Sequence, residues 1–321
     1  MSSLLLVIAD PSAPIMKSLP ALPSDMRVVV SNRLEEIRPH AAEADVILYA
    51  DGNGELLSQV LAIAPRVRWI HSLWTGVEGI LKPEILRHPA PLTNGRGVFR
   101  WPLADWIVGV MLYFSFDFPR VLQQQQQKLW KPFVSKMLEG CTLGIVGYGS
   151  IGSAAAARAR VFGMKIAALR RRSALSEGDG LVDQHYRPDQ LKDLAAASDY
   201  LLVCTPLTEQ TRGLIGEAEI AVMKSTAVLI NVGRGPVVDE GALTRALESG
   251  AIRGAALDVF DQEPLPAEHP FWRMPQVFLS PHTADRVEGF LKPAWEGFLE
   301  NLDRFRKSQT LLNVVDKQAG Y

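Results

Sequence analysis

The stretch Gly147-Tyr148-Gly149-Ser150-Ile151-Gly152 decides how this chain is read. It is a G-x-G-x-x-G turn, preceded by the apolar run Leu143-Gly144-Ile145-Val146 and followed by Ser153-Ala154-Ala155-Ala156-Ala157. Strand, glycine turn and small-residue helix in that order make a pyrophosphate cradle. The first glycine permits the tight turn, the second lets the backbone approach the phosphates, and the third allows close strand–helix packing. Amides at the helix N-terminus then face the phosphate charge. About twenty residues on, where an acidic residue would bond the ribose hydroxyls of NAD, stand Arg170, Arg171 and Arg172. A guanidinium cannot accept those hydrogen bonds, but it pairs in bidentate fashion with a 2′-phosphate. The expected ligand is a dinucleotide, with NADP(H) preferred and NAD(H) as the second option. A solvated basic rim is the plainer reading of the same arginines.

Outward from the turn, short apolar runs alternate with helix-like segments, the pattern of an α/β protein with parallel sheets. Strands are expected at 142–146, 165–169, 200–204, 227–232, 254–257 and 277–279, with a helix at 153–162. Before the turn, strands are expected at 4–9, 27–30, 46–49 and 69–72. Residues 103–118 are apolar nearly all round, so a helix there is buried between domains or between subunits. The ending Leu312-Asn313-Val314-Val315-Asp316 has no strand partner in the later set and is expected to return to the first domain. A cofactor domain, 103–285, is thus inserted into a substrate domain made of 1–102 and 286–321.

Composition excludes several classes. The 321 residues carry 47% hydrophobic and 21% charged residues with a formal net charge of −1. That balance gives no general attraction to nucleic acid or to acidic membranes. No run approaches the about 18 apolar residues of a membrane span. Two cysteines without paired spacing, Cys141 and Cys204, fit a reduced, cytoplasmic protein. No metal-ligand spacing is present, and no metal is expected.

Three further motifs follow expected strands: Asn231-Val232-Gly233-Arg234-Gly235, Asp258-Val259-Phe260-Asp261-Gln262-Glu263-Pro264 and Ser280-Pro281-His282-Thr283-Ala284. Ligands of open α/β sheets sit at the carboxyl ends of strands, so these segments can converge with the glycine turn. With Cys204-Thr205-Pro206-Leu207-Thr208 and Thr211, the chain resembles the D-isomer-specific 2-hydroxyacid dehydrogenases over nearly its whole length. Leu129-Trp130-Lys131-Pro132 and the arginine cluster look most like the glyoxylate/hydroxypyruvate reductase branch. The resemblance implies a Rossmann-type doubly wound parallel sheet inserted in a second, flavodoxin-like α/β domain, and a homodimer. It also implies that Thr205, Pro206, Thr211, Val232, Gly233 and Asp258 join the glycine turn in holding the cofactor. Asp258 reads equally as a structural carboxylate at a strand end.

Reducing a small 2-oxo acid to a D-2-hydroxy acid needs a fixed cation, a proton donor and a hydride donor. Arg234 suits the first role, since its planar fork matches a carboxylate and keeps its charge. His282 suits the second, having a reference pKa near working pH. Glu263 would orient that imidazole and stabilise its protonated form. The nicotinamide supplies the hydride. Ser72-Leu73-Trp74-Thr75-Gly76-Val77-Glu78 resembles the family's substrate loop, which implies that the Thr75 and Gly76 amides bind the substrate carboxylate. Trp74, where the family has a small residue, either narrows the pocket or packs at the domain interface. Asn94-Gly95-Arg96-Gly97-Val98, followed by Arg100 and Trp101, is a second candidate wall. His71 reads as structural, and His40, His88, His185 and His269 read as exposed. Phosphoglycerate dehydrogenase is a rival activity, and a dinucleotide-sensing co-repressor is a rival class on the same fold.

Overall fold

In a computed structural model that describes residues 3–171 and 179–321, the chain divides into two compact units. One comprises Met1–Phe99 with Glu288–Tyr321, the other Arg100–Val287. The first unit holds β1 (Leu4–Ile8), β2 (Arg27–Ser31), β3 (Ala44–Tyr49), β4 (Trp69–Ser72) and β5 (Leu92–Thr93). They form one parallel sheet in the order β2-β1-β3-β4-β5, the flavodoxin-like arrangement. All five residues of β1 and all six of β3 are buried. Such unbroken burial marks central strands covered on both faces, which is why they read as apolar runs rather than alternating ones. The C-terminal stretch reaches the edge of this sheet: Val314 forms an antiparallel bridge to Thr93, and Val315 N–H donates to Leu92 O at 2.8 Å.

The second unit holds β6 (Thr142–Val146), β7 (Lys165–Leu169), β8 (Gln184–Tyr186), β9 (Tyr200–Val203), β10 (Val228–Asn231), β11 (Gly254–Leu257) and β12 (Val277–Leu279). Their order is β12-β11-β10-β9-β6-β7-β8, all parallel. Counting from β6, this is the doubly wound 3-2-1-4-5-6 order with one strand added at the far edge. Its core gathers Val146, Leu201, Val203, Leu229, Leu257, Leu243 and Phe271. Each such side chain, fully buried, stabilises the unit by roughly 1.5–3 kcal/mol.

Element limits differ from expectation where local geometry intervenes. The helix after the glycine turn is Ser150–Val161, because the chain turns helical directly after extended Gly149. The apolar helix is Arg100–Ser115 and stops before Asp117, whose φ of 53° is left-handed; a second helix, Phe118–Gln126, starts there with Pro119 in its first turn. The apolar helix packs within its own unit against Ser150–Val161, where the alanines of that helix permit close approach. No helix among the described residues is long and apolar enough to cross a membrane.

Candidate active site

Strand register builds the site's floor. Val146 pairs with Val203, Val203 with Asn231, Asn231 with Leu257, and Leu257 with Leu279. These five residues therefore form one row at the carboxyl edge of the sheet. The residues that follow them open the glycine turn, the Thr205 loop, the Arg234 turn, the Asp258–Glu263 loop and the His282 loop. Between β6 and β9 the strand order reverses, the crevice where doubly wound sheets bind ligands.

The glycine turn has the geometry its sequence calls for. Gly147 has a φ of 95°, and a Cβ there would lie 2.6 Å from Thr205 Cγ2 and 2.9 Å from its backbone N. A side chain is thus excluded by backbone conformation and by space together. A Cβ on Gly152 would lie 2.9 Å from Ile145 Cγ2, so the third glycine lets the helix lie on its strand. A Cβ on Gly149 would meet nothing within 4 Å, leaving the middle of the turn open to an approaching ligand. The first amides of Ser150–Val161 have no intrahelical acceptor and suit phosphate oxygens. Beside them, buried Thr205 Oγ1 has no hydrogen-bond partner among the described residues. An open glycine, a helix N-terminus and an orphaned hydroxyl fit a bound dinucleotide. Tyr148 turns its side chain into the protein, 2% exposed, so it offers the turn its backbone only.

Arg170 lies against this turn. Its Nε donates to Tyr148 O at 2.7 Å, and its guanidinium carbon is 5.2 Å from the Tyr148 ring centre. Arg171 Nη1 is 3.5 Å from Gln210 Oε1, on the loop after β9. Arg172 lies outside the described residues. Thr211 closes the turn on which it lies. Its hydroxyl donates to Pro206 O at 2.7 Å and accepts from Thr208 N–H at 2.8 Å, closing the 206–211 turn. Exposed Pro206 sits on that turn. Val232 is buried, and Gly233 is packed so that a Cβ would lie 2.7 Å from Thr205 O.

Glu263 and His282 come together. His282 Nδ1 lies 2.7 Å from Glu263 Oε2, and Glu263 Oε1 accepts from Phe260 N–H at 3.0 Å. Burial pushes Glu263 up, but the His282 hydrogen bond, the Phe260 amide and the charges of His282 and Arg234 outweigh it, holding the carboxyl below its usual range. The Glu263 hydrogen bond raises the His282 pKa above the ordinary imidazole value, against burial and against the positive charge of Arg234. An ionised Glu263 accepts the hydrogen bond from Nδ1–H, leaving Nε2 as the exchangeable position. Arg234 is close enough to act on both partners electrostatically, and its Nη1 donates to Gly233 O at 2.8 Å.

Asp258 holds the loop that carries His282. Its Oδ1 accepts from Ser280 Oγ at 2.6 Å, Thr283 N at 2.9 Å and Ala284 N at 3.1 Å, while its backbone O accepts from His282 N at 2.9 Å. With the residue 2% exposed, burial raises its pKa despite these bonds. Of the two sequence readings, this geometry is that of a structural carboxylate.

In the first unit, Trp74, Thr75 and Gly76 follow β4. Trp74 is half-buried and packs on that unit's own core. Thr75 Oγ1 donates to Gly95 O at 2.9 Å, and Asn94 Nδ2 donates to Thr75 O at 2.6 Å, so Asn94-Gly95 clasps the loop. His71 is buried against Thr93, Nδ1 to Oγ1 2.7 Å, and burial lowers its pKa to about 3. In the second unit, the guanidinium carbon of Arg100 stands 5.4 Å from the Trp101 ring centre, with that of Arg158 4.7 Å away.

His269 departs from its exposed reading. It is half-buried, with Nε2 3.4 Å from Glu240 Oε2. Glu240 itself was not singled out by sequence. Nothing in local spacing announces that its carboxylate meets the amide of Asp261.

The family model for the D-isomer specific 2-hydroxyacid dehydrogenase, NAD binding domain, matches residues 108–284. A glyoxylate reductase of Aeropyrum pernix is 36% identical over 296 residues, spanning 88% of this chain and 86% of the relative. A glyoxylate reductase of Korarchaeum cryptofilum is 34% identical over 81% of this chain and 80% of its own length. The solved structure of a D-isomer specific 2-hydroxyacid dehydrogenase from Xanthobacter autotrophicus, in complex with NADPH and MES, superposes with a TM-score of 0.86. It is 27% identical, and the similarity covers 100% of both chains. On the match across 108–284 and these relatives, the chain belongs to the D-isomer specific 2-hydroxyacid dehydrogenase family and is an oxidoreductase with an NAD-binding domain.

Proposed function

We propose that this protein reduces a small 2-oxo acid of the glyoxylate/hydroxypyruvate type to the D-2-hydroxy acid, with NADPH preferred over NADH. The observation that carries the reading is the 2.7 Å His282–Glu263 pair on the strand edge that also bears Arg234 and the glycine turn. Arg234 binds the substrate carboxylate and polarises its carbonyl, a task for a permanent, forked cation. Protonated His282, held through Nδ1 by Glu263, gives its Nε2 proton to the forming alkoxide. The bound nicotinamide supplies the hydride. The Thr75 and Gly76 amides are the first unit's candidates for binding a substrate carboxylate.

Arg170 and Arg171 are assigned to the adenosine 2′-phosphate. Arg170 already lies against the glycine turn, and the Xanthobacter autotrophicus relative is a complex with NADPH. A homodimer is part of the reading. Downstream of the apolar helix, Trp130 and Val134 are 96% and 98% exposed and Met137 66%, an apolar surface that a second copy would cover. Both cysteines are free, which suits a reducing, cytoplasmic setting.

The test is oxidation of NADPH and of NADH with glyoxylate, hydroxypyruvate, pyruvate and phenylpyruvate. The expected result is turnover of glyoxylate and hydroxypyruvate with a higher kcat/KM for NADPH. No turnover with any of them sinks the reductase reading, and cofactor binding without turnover would favour a dinucleotide sensor.

A further inference from the structure

Glu240 opens the helix Glu240–Glu248, directly after its N-cap Asp239. Its side chain is 15% exposed and grips two things at once. Oε1 accepts from Asp261 N–H at 2.7 Å, and Oε2 stands 3.4 Å from His269 Nε2. His269 Nδ1 accepts from Phe271 N–H at 3.4 Å, which leaves Nε2 as the ring nitrogen that faces Glu240. The His269 ring is further seated 4.5 Å from that of Phe271, itself 1% exposed.

The Asp261 amide is one peptide away from the amide that serves the acid–base pair, since Phe260 N–H donates to Glu263 Oε1. The same Phe260–Asp261 peptide is the bed of the Arg234 turn. A Cβ on Gly235 would fall 1.9 Å from Phe260 C and 2.4 Å from Asp261 N, so the two backbones lie in contact. One carboxylate thus pins the peptide on which both the Arg234 turn and the Glu263 loop depend.

We propose that Glu240 is a positioning residue for the reduction: its grip on the Asp261 amide and His269 fixes the Phe260 amide that orients Glu263 against His282. This rests on the function proposed above. The charged groups acting on His282 are Glu263, Arg234, Asp258 and Asp285. Around Glu240 are Asp261 and His269, and Asp261 in turn faces Arg212 and Asp239. Loosening Glu263 therefore removes the largest influence that raises the His282 pKa and leaves the others in place.

The experiment compares Glu240→Ala, Glu240→Asp and Glu240→Gln with wild type in kcat, KM, the pH profile of kcat and NADPH affinity. Glu240→Ala is expected to lower kcat by about tenfold, the scale of one lost orienting hydrogen bond, and to move the alkaline limb to lower pH. NADPH affinity stays at the wild-type value. Glu240→Gln keeps an acceptor for the Asp261 amide and restores most of kcat. Glu240→Asp, too short to reach that amide, is expected to follow Glu240→Ala and decides the matter if Glu240→Ala fails to fold. Wild-type kcat in Glu240→Asp overturns the proposal, as does a loss of kcat with an unmoved pH profile, which marks a merely structural role. A wild type that reduces no 2-oxo acid overturns the function and this inference together. An active wild type with an indifferent Glu240→Ala and Glu240→Asp overturns this inference alone.

Discussion

His282 has a left-handed φ of 53°, a conformation that costs a non-glycine residue about 1–2 kcal/mol. The four hydrogen bonds that Asp258 accepts from the His282 loop offset that strain and aim the imidazole at Glu263. Because Glu263 raises the His282 pKa, the donor keeps its proton to higher pH, and the reductive rate should fall only as pH rises through that raised value. Glu263→Gln removes the negative charge that raises the His282 pKa and leaves only a neutral acceptor at Nδ1, against the lowering effects of burial and Arg234. Its alkaline limb is expected at lower pH than that of wild type in a kcat–pH profile, and an unmoved limb would detach Glu263 from the proton donor. For Arg170→Ala, losing a charged contact of about 1.5–3 kcal/mol predicts a roughly 10- to 100-fold loss in NADPH affinity. NADH affinity should be unchanged, and equal losses for both cofactors would assign Arg170 to the turn rather than to the phosphate. That Arg234, Glu263 and His282 gather at one strand edge was legible because motif order and strand-end position agree. Asp258 was legible as a strand-end structural carboxylate but not the groups it holds, and Glu240 was not singled out, because each accepts from backbone amides brought to it by distant segments.

The element that carries the cofactor proposal is the β6–turn–helix unit. Gly147→Ala would place a methyl at a φ of 95° against Thr205. We expect about 1–3 kcal/mol of destabilisation and loss of measurable NADPH binding by fluorescence titration; wild-type binding would mean that the turn does not hold the pyrophosphate. This unit was readable residue by residue, since its strand is apolar, its glycines are spaced for the turn and its helix is built of small residues. The edges were not. β5 is two residues long and β8, Gln184–Tyr186, is three with a polar sequence, too little for a hydrophobic period to show. The limits of Arg100–Ser115 depend on a left-handed residue at Asp117 that composition alone does not flag.

At the scale of the whole molecule, two parallel sheets of different strand order explain why the glycine turn stands in mid-chain: the second unit begins only after Phe99. The alternation of apolar runs and helices was sufficient to expect parallel sheets, and the unpartnered stretch 312–316 to expect a split first domain, whereas the exposed residues Trp130, Val134 and Met137 became visible only in the fold. Light scattering at micromolar concentration should give twice the 35.3 kDa of one chain, and a single-chain mass would contradict the proposed dimer. Replacing Trp130 and Val134 by serine should shift the mass toward one chain; an undiminished dimer would place the interface elsewhere. The central claim is that the Glu263-held imidazole of His282 donates the proton in a 2-oxo acid reduction. It is tested most directly by the rate of NADPH oxidation with glyoxylate in His282→Ala, alongside NADPH binding to the same variant. The account predicts a turnover loss on the order of 10²–10⁴-fold with cofactor binding intact; a variant that binds NADPH and retains the wild-type rate would contradict it.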